Sequence, residues 1–412
     1  MTINKKPELL APAGDLEKLK IAVNYGADAV YIGGKSLGLR AKAKNFDYNE
    51  MQKGIDYVHS HGKKIYVTAN IFAHNDDFEG AVDYFKDLKK LNVDGVLISD
   101  PGLFSVARDA EPDLEIHIST QANNTNFHSA LFWRKLGAKR IVLARELSLK
   151  EITEIRQQLP QDFEIEVFVH GAMCISYSGR CLLSNYLSGR DANKGECSHP
   201  CRWNYSLMEE KRQGEYFPVY EDERGTYIFN SKDLCMIQNI GDLVSAGINS
   251  LKIEGRMKTP YYVGTVIKAY RDALDDYFND VSLYESKINH YITEIKKASH
   301  RDFTTGFYYG KPTQNEQIYT TNSYIRLYDF VGVVKSYDTQ TGIATIEQRN
   351  KFVVGDEVEF LQPEGTGFKE IIKDMTDESG EPIQEAPHPQ QIVKVKLSNT
   401  VKEFDMMRIE IK

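Results

Sequence analysis

ELLAPAGDLEKLKIAVNYGADAVYIGG, Glu8 to Gly34, reads as one complete turn of a repeating unit. LLAP from Leu9 and AVYIG from Ala29 are short apolar runs, the second β-branched at Val30 and Ile32, as expected of strands buried on both faces. Between them, LEKLKIAVNYG carries apolar residues three and four positions apart, the period of a helix packed by one face. A strand, a helix and a second strand in this order make a parallel pair joined by a crossover.

The same texture returns at KIYVTAN from Lys64, GVLIS from Gly95, EIHIST from Glu115, RIVLAR from Arg140, EIEVFVH from Glu164 and SLKIEG from Ser250, making eight strands in all. FEGAVDYFKDLKKLN and LKEITEIRQQLP are among the helical segments between them. Eight such units closing on themselves form a TIM-type (β/α)8 barrel, and an open doubly wound sheet is the competing arrangement. The seventh connection is greatly enlarged. Within it, RWNYSLMEE from Arg202 and GTYIFN from Gly225 read as additional β structure. SKDLCMIQNIGDLVSAG reads as the deferred seventh helix, with Ser231 and Asp233 in its first turn. Such a strand-to-helix connection opens at the carboxyl face of a barrel, where barrel enzymes keep their chemistry.

TPYYVGTVIKAYRDALDDYF from Thr259 is a long amphipathic helix, and from Phe330 the texture changes. VGVVKSYD, GIATIEQ, DEVEFL, QIVKVKL and MMRIEI are short alternating runs broken by Gly, Asp or Pro, the pattern of a small antiparallel β-barrel. The expected division is a barrel domain over 1–329 and a small β-barrel domain over 330–412.

The 412 residues are 41% hydrophobic and 27% charged, with a net charge of -8, which is ordinary for a soluble globular protein and does not advertise phosphate binding by total charge. No apolar run approaches the roughly 18 residues of a membrane span, and MTINKKPELLAPAG lacks a signal-peptide core. The chain therefore reads as cytoplasmic and free of membrane. In that reducing compartment its five cysteines do not make a disulfide framework.

All of them fall after residue 173, as C-x6-C-x15-C-x3-C from Cys174 through Cys181 and Cys197 to Cys201, with Cys235 further on. Their neighbours are Gly, Ser, Arg, Asn, His and Pro, so packing as small hydrophobes is a poor explanation. Thiolates in a long connection suit zinc or an iron-sulfur cluster, and the spacing leaves both open. Cys174, Cys181 and Cys197 stand as ligands. The fourth is Cys235, expected at a helix amino terminus where the dipole favours a thiolate, or Cys201.

Other candidates end strands or follow them. His170 closes the seventh strand four residues before Cys174 and is expected to aim at the barrel mouth, either for proton transfer or orientation of a substrate oxygen or simply to satisfy a buried backbone group. Glu254 and Arg256 end the eighth strand, where they either border the site or form only a structural ion pair, and Arg145 ends the sixth. Arg40, Lys42 and Lys44 follow the second strand. Arg40 is the favoured carboxylate fork among them, against the plainer reading of a solvated charge run. Arg180, Arg190, Lys194 and Arg202 alternate with Tyr177, Tyr186, Trp203 and Tyr205, a mixture that suits phosphates and splayed bases.

EVFVHGAMCISYSGRCLLS, Glu166 to Ser184, closely resembles the signature of peptidase family U32, also called collagenase-like proteases. The opening from Glu8, FNSKDLC and KIEGR resemble it too, so the resemblance spans both expected domains. Within the family the chain is most similar to the branch that forms 5-hydroxyuridine at the tRNA wobble position. The resemblance implies a 4Fe-4S cluster on Cys174, Cys181, Cys197 and Cys235, prephenate as co-substrate, the anticodon loop of tRNA as partner, and a homologous protein partner in some relatives. It also implies two alternatives: a peptidase, or a non-catalytic iron-sulfur subunit of another hydroxylase. Against a peptidase, no HExxH zinc site occurs. GKSLG, with Ser36, satisfies G-x-S-x-G but is followed by RAKAKNF rather than a helix.

Overall fold

The computed structural model describes residues 5–34, 37–38, 45–174, 176–178, 180–194, 196–202, 206–208, 216–218, 232–311 and 324–411. Glu8–Pro12 (β1), Ala29–Gly33 (β2), Lys64–Ala69 (β3), Gly95–Ile98 (β4), Ile116–Ile118 (β5), Arg140–Val142 (β6) and Glu164–Ala172 (β7) pair in parallel and in chain order. The connection after β7 carries three short strands, Ser206–Met208 (β8), Tyr216–Pro218 (β9) and Asp233–Cys235 (β10). Ser250–Ile253 (β11) then pairs in parallel with both β1 and β7 and closes the barrel. Closure leaves none of these eight strands with an open edge.

The helices start where local chemistry starts them. Asp15 accepts the Lys18 N–H ahead of Leu16–Asn24 (α1), and Asp47 forms a capping box with Glu50 at Tyr48–Ser60 (α2). Asp100 caps Pro101–Ala110, with proline at the first turn where its missing N–H costs nothing. Ser148 and Glu151 repeat the capping box at Leu149–Gln158. The long helix expected after the eighth strand is Pro260–Asn279, capped by Thr259 and packed on α1 and β1. Among the described residues, no helix is long and apolar enough to cross a membrane.

The deferred seventh helix is a correction. Asp233–Cys235 is strand, followed by a 3-10 turn at Ile237–Asn239 and a short helix at Ile240–Ser245. β7 overruns the barrel, so Asp233, Leu234 and Cys235 pair antiparallel with Ala172, Gly171 and His170. The Asp233 carboxylate accepts the Arg301 N–H at 3.2 Å and caps no helix. Of the extra β structure, β8 and β9 form their own antiparallel pair, whereas GTYIFN lies outside the described residues.

The C-terminal strands form a seven-stranded antiparallel half-barrel centred on Tyr328–Asp338, with Ile343–Gln348 and Met406–Glu410 on either side. Val331, Val334, Ile346, Phe360 and Met407 fill its own core, while Val333, Leu361 and Met406 join the core of the large barrel. At that junction the buried Tyr25 hydroxyl bonds the carbonyls of Leu361 and Phe404 at 2.8 and 3.0 Å. Arg408, 1% exposed, pairs with Glu294 at 2.8 Å and with Glu359.

Candidate functional site

The carboxyl ends of the barrel strands open into one cavity of about 490 Å3. Lys252, Glu254, Arg256 and Lys258, alternate residues running up from β11, all line it. Arg145 completes the charged lining, so Glu254 is the only carboxylate among the described cavity residues against four cations. A chain with a net charge of -8 has thus built a cationic chamber at the catalytic end of its barrel.

Two of the arginines are committed to holding the walls. Arg256, 4% exposed, donates to Thr68 Oγ1 at 3.1 Å and Asn45 Oδ1 at 2.7 Å. Its guanidinium lies flat on Gly33, where a Cβ would stand 2.0 Å from Nη2. Arg145 donates to the Ala172 carbonyl and Ser178 Oγ, both at 2.9 Å, and lies 5.4 Å from the Phe168 ring centre. It clamps the start of the cysteine connection onto the barrel rim.

Below the cavity the barrel is filled by ions. Lys252 meets Glu166 at 2.7 Å, and Arg140 meets Glu166 at 3.1 Å and Glu8 and Glu164 at 2.6 Å each. Burial by itself would raise the Glu8 carboxyl, but the charge and hydrogen bonds of Arg140 prevail and hold it at about 2. The ion-filled interior replaces the usual branched aliphatic layers.

Cys174, Cys181, Cys197 and Cys201 all line the cavity, Cys174 exposed and the others half-buried. Cys235 does not line it. It is buried against the Tyr270 hydroxyl at 4.0 Å, and burial pushes its thiol up to about 11. The expected helix-terminal position is corrected, since Cys235 stands on β10 opposite His170. The donor chemistry suits a thiolate-held cluster, because four soft sulfurs line the same cavity. Among the described residues, however, no three Cys, His, Asp or Glu side chains are grouped as a metal site.

His170 is also misplaced by the strand reading. Phe168 and His170 share parity, but Val169 bulges where Lys252 pairs with Phe168 and Ile253 with His170. The imidazole therefore leaves the cavity and sits among Tyr262, Tyr270 and Phe303 at 6.1, 5.6 and 5.7 Å between ring centres. Burial there pushes its pKa down to about 3. Arg180 lies outside the cavity, exposed, 4.3 Å over the Phe72 ring. Arg40, Lys42, Lys44 and Ser36 lie outside the described residues, as do Trp203 and Tyr205.

The cavity adds residues that the sequence reading passed over. Asn70 donates to Ser119 Oγ at 3.2 Å and Gln121 Oε1 at 3.0 Å, and all three side chains face the chamber. Their signal was positional: Asn70 and Ser119 stand at the carboxyl ends of strands already recognised. Lys252 was hidden inside SLKIEG.

Residues 14–318 match the model of peptidase family U32, and residues 326–408 match that of its C-terminal domain. The chain belongs to peptidase family U32. Among U32 relatives, tRNA hydroxylation protein P1 of Bacillus subtilis is 45% identical over 98% of this chain and 95% of its own length. tRNA hydroxylation protein P of Escherichia coli is 38% identical over 93% of this chain and 92% of its own. The 23S rRNA 5-hydroxycytidine C2501 synthase of Escherichia coli is 39% identical over 67% of this chain but only 40% of its own length.

Proposed function

We propose that this U32 chain is an RNA-hydroxylating enzyme that adds oxygen at the pyrimidine 5-position of the wobble uridine in tRNA. One observation carries the reading: near full-length similarity to two tRNA hydroxylation proteins, in a chain whose cationic barrel mouth also gathers four thiols. The similarity to a 5-hydroxycytidine synthase of ribosomal RNA supports the same position on a pyrimidine ring.

In this reading Cys174, Cys181 and Cys197 hold an iron-sulfur cluster of the 4Fe-4S type, with Cys235 as fourth ligand and Cys201 as its rival. When bound, the cluster supplies redox or Lewis-acid chemistry at the cavity rim. The protein's own residues bind and orient. Arg145 and Arg256 fix the walls, Glu254 offers a carboxylate beside the reacting groups, and prephenate fills part of the chamber as acid co-substrate. Tyr186, 85% exposed on the helix Leu183–Ser188, and Tyr177 beside Arg180 offer rings and charge to an unstacked anticodon loop. In this reading the protein works in the cytoplasm, beside its tRNA substrate.

Nucleoside analysis of tRNA from cells lacking the chain and any redundant homologue tests this reading. Loss of 5-hydroxyuridine is expected, and an unchanged level overturns the assignment.

A further inference from the structure

Lys252 is 3% exposed and lines the cavity, and its ammonium lies over Tyr31 and Phe168 at 4.4 and 5.5 Å from the ring centres. An ammonium carries three donors. Among the described residues, the only acceptor of Lys252 is Glu166 Oε1 at 2.7 Å. Among the described residues, the remaining donors of this buried cation meet only the two ring faces and the cavity, and leaving them unfilled is costly. The other buried cation of the chamber, Arg256, is already bound to Thr68 and Asn45.

We infer that Lys252 is the anchor for the carboxylate of a small organic acid, whose carbon skeleton packs against Tyr31 and Phe168. This deepens the acid co-substrate part of the proposed function and rests on it. The geometry supports a carboxylate over a neutral polar group. A carboxylate brings two acceptor oxygens and a charge to a floor where Glu166 is divided between Lys252 and Arg140. The aromatic faces favour an acid with a ring or a flat unsaturated body over a short polar one. The inference also moves the carboxylate site from the loop after β2, where the sequence suggested Arg40, to the interior end of β11.

Calorimetric titration of the full chain, purified anaerobically, with prephenate and with phenylpyruvate tests it. Lys252→Met should weaken binding of the acid by about tenfold to a hundredfold, the worth of one charge-assisted hydrogen bond. Lys252→Arg should recover part of the loss. Lys252→Met/Glu166→Gln removes both charges of the pair, so it keeps the measurement possible if the single variant unfolds, and it too should bind weakly. In the wild-type protein, NMR of labelled lysine side chains should show one ammonium signal shifting as acid is added, and that signal should be absent from Lys252→Arg. Equal binding by the wild type and either charge-removing variant overturns the anchor while leaving the acid co-substrate in place. Absence of binding by the wild type overturns both.

Discussion

Nζ of Lys252 lies 2.7 Å from Oε1 of Glu166, and the second oxygen of that carboxylate lies 3.1 Å from Nη1 of Arg140. One fully buried acid thus joins the floor of the cavity to the ion network that fills the barrel beneath it.

Removing that acid strands charge in the interior. Glu166→Ala should cost about 3 kcal/mol, toward the lower end for a broken buried pair, because Arg140 keeps Glu8 and Glu164. Urea unfolding measures this. A loss below about 1 kcal/mol would mean that water or rearrangement replaces the carboxylate.

The network also sets an acid limit. Glu8 is held at about 2 against a usual 4.5, so its stabilising contribution is complete above about pH 4.5 and disappears as pH falls through about 2. At neutral pH this is worth about 3 kcal/mol. Glu8→Gln should be less stable than the wild type at pH 7 by up to that amount, and the two unfolding curves should converge as the pH approaches 2. Curves that stay parallel across the acid range would contradict the ionic role of Glu8.

Gly33 is a cradle for Arg256. Gly33→Ala places a methyl group 2.0 Å from Nη2, so the guanidinium must leave Thr68 and Asn45. The expected cost is roughly 1–3 kcal/mol from two broken hydrogen bonds at a buried cation. Hydroxylation activity should fall at least as far as in Arg256→Ala. Full activity in Gly33→Ala would show that Arg256 need not hold this position.

The barrel was legible in the sequence because the strands are compact apolar runs, most of them β-branched, and several outer helices carry their own cap. Asp15, Asp47 and Ser148 mark those starts with side chains that do what their chemistry suggests. What escaped depended on register. His170 keeps the parity of Phe168 on paper, and only the bulge at Val169 turns it outward. Asp233–Cys235 is too short for periodicity, and its Ser231 and Asp233 imitate a helix start although the carboxylate serves Arg301. Lys252 reads as one charge in a strand until its pairing with Phe168 places it on the cavity floor.

Serine at Cys174, Cys181 or Cys197 should abolish bound iron and acid-labile sulfide in anaerobically purified protein. For the fourth position, Cys235→Ser is expected to lose iron and Cys201→Ser to retain it. The reverse result would assign the site to the four thiols that already line the cavity.

The most direct measurement supplies the isolated, cluster-loaded chain with prephenate and with tRNA lacking the modification, once with dioxygen and a reductant and once without air with an electron acceptor and water as oxygen source, then analyses the nucleosides by mass spectrometry. The wobble uridine should gain the mass of one oxygen atom, at its 5-position, without any other protein. Uridine that stays unmodified with an intact cluster, and becomes hydroxylated only when a second protein is added, would contradict catalysis by this chain.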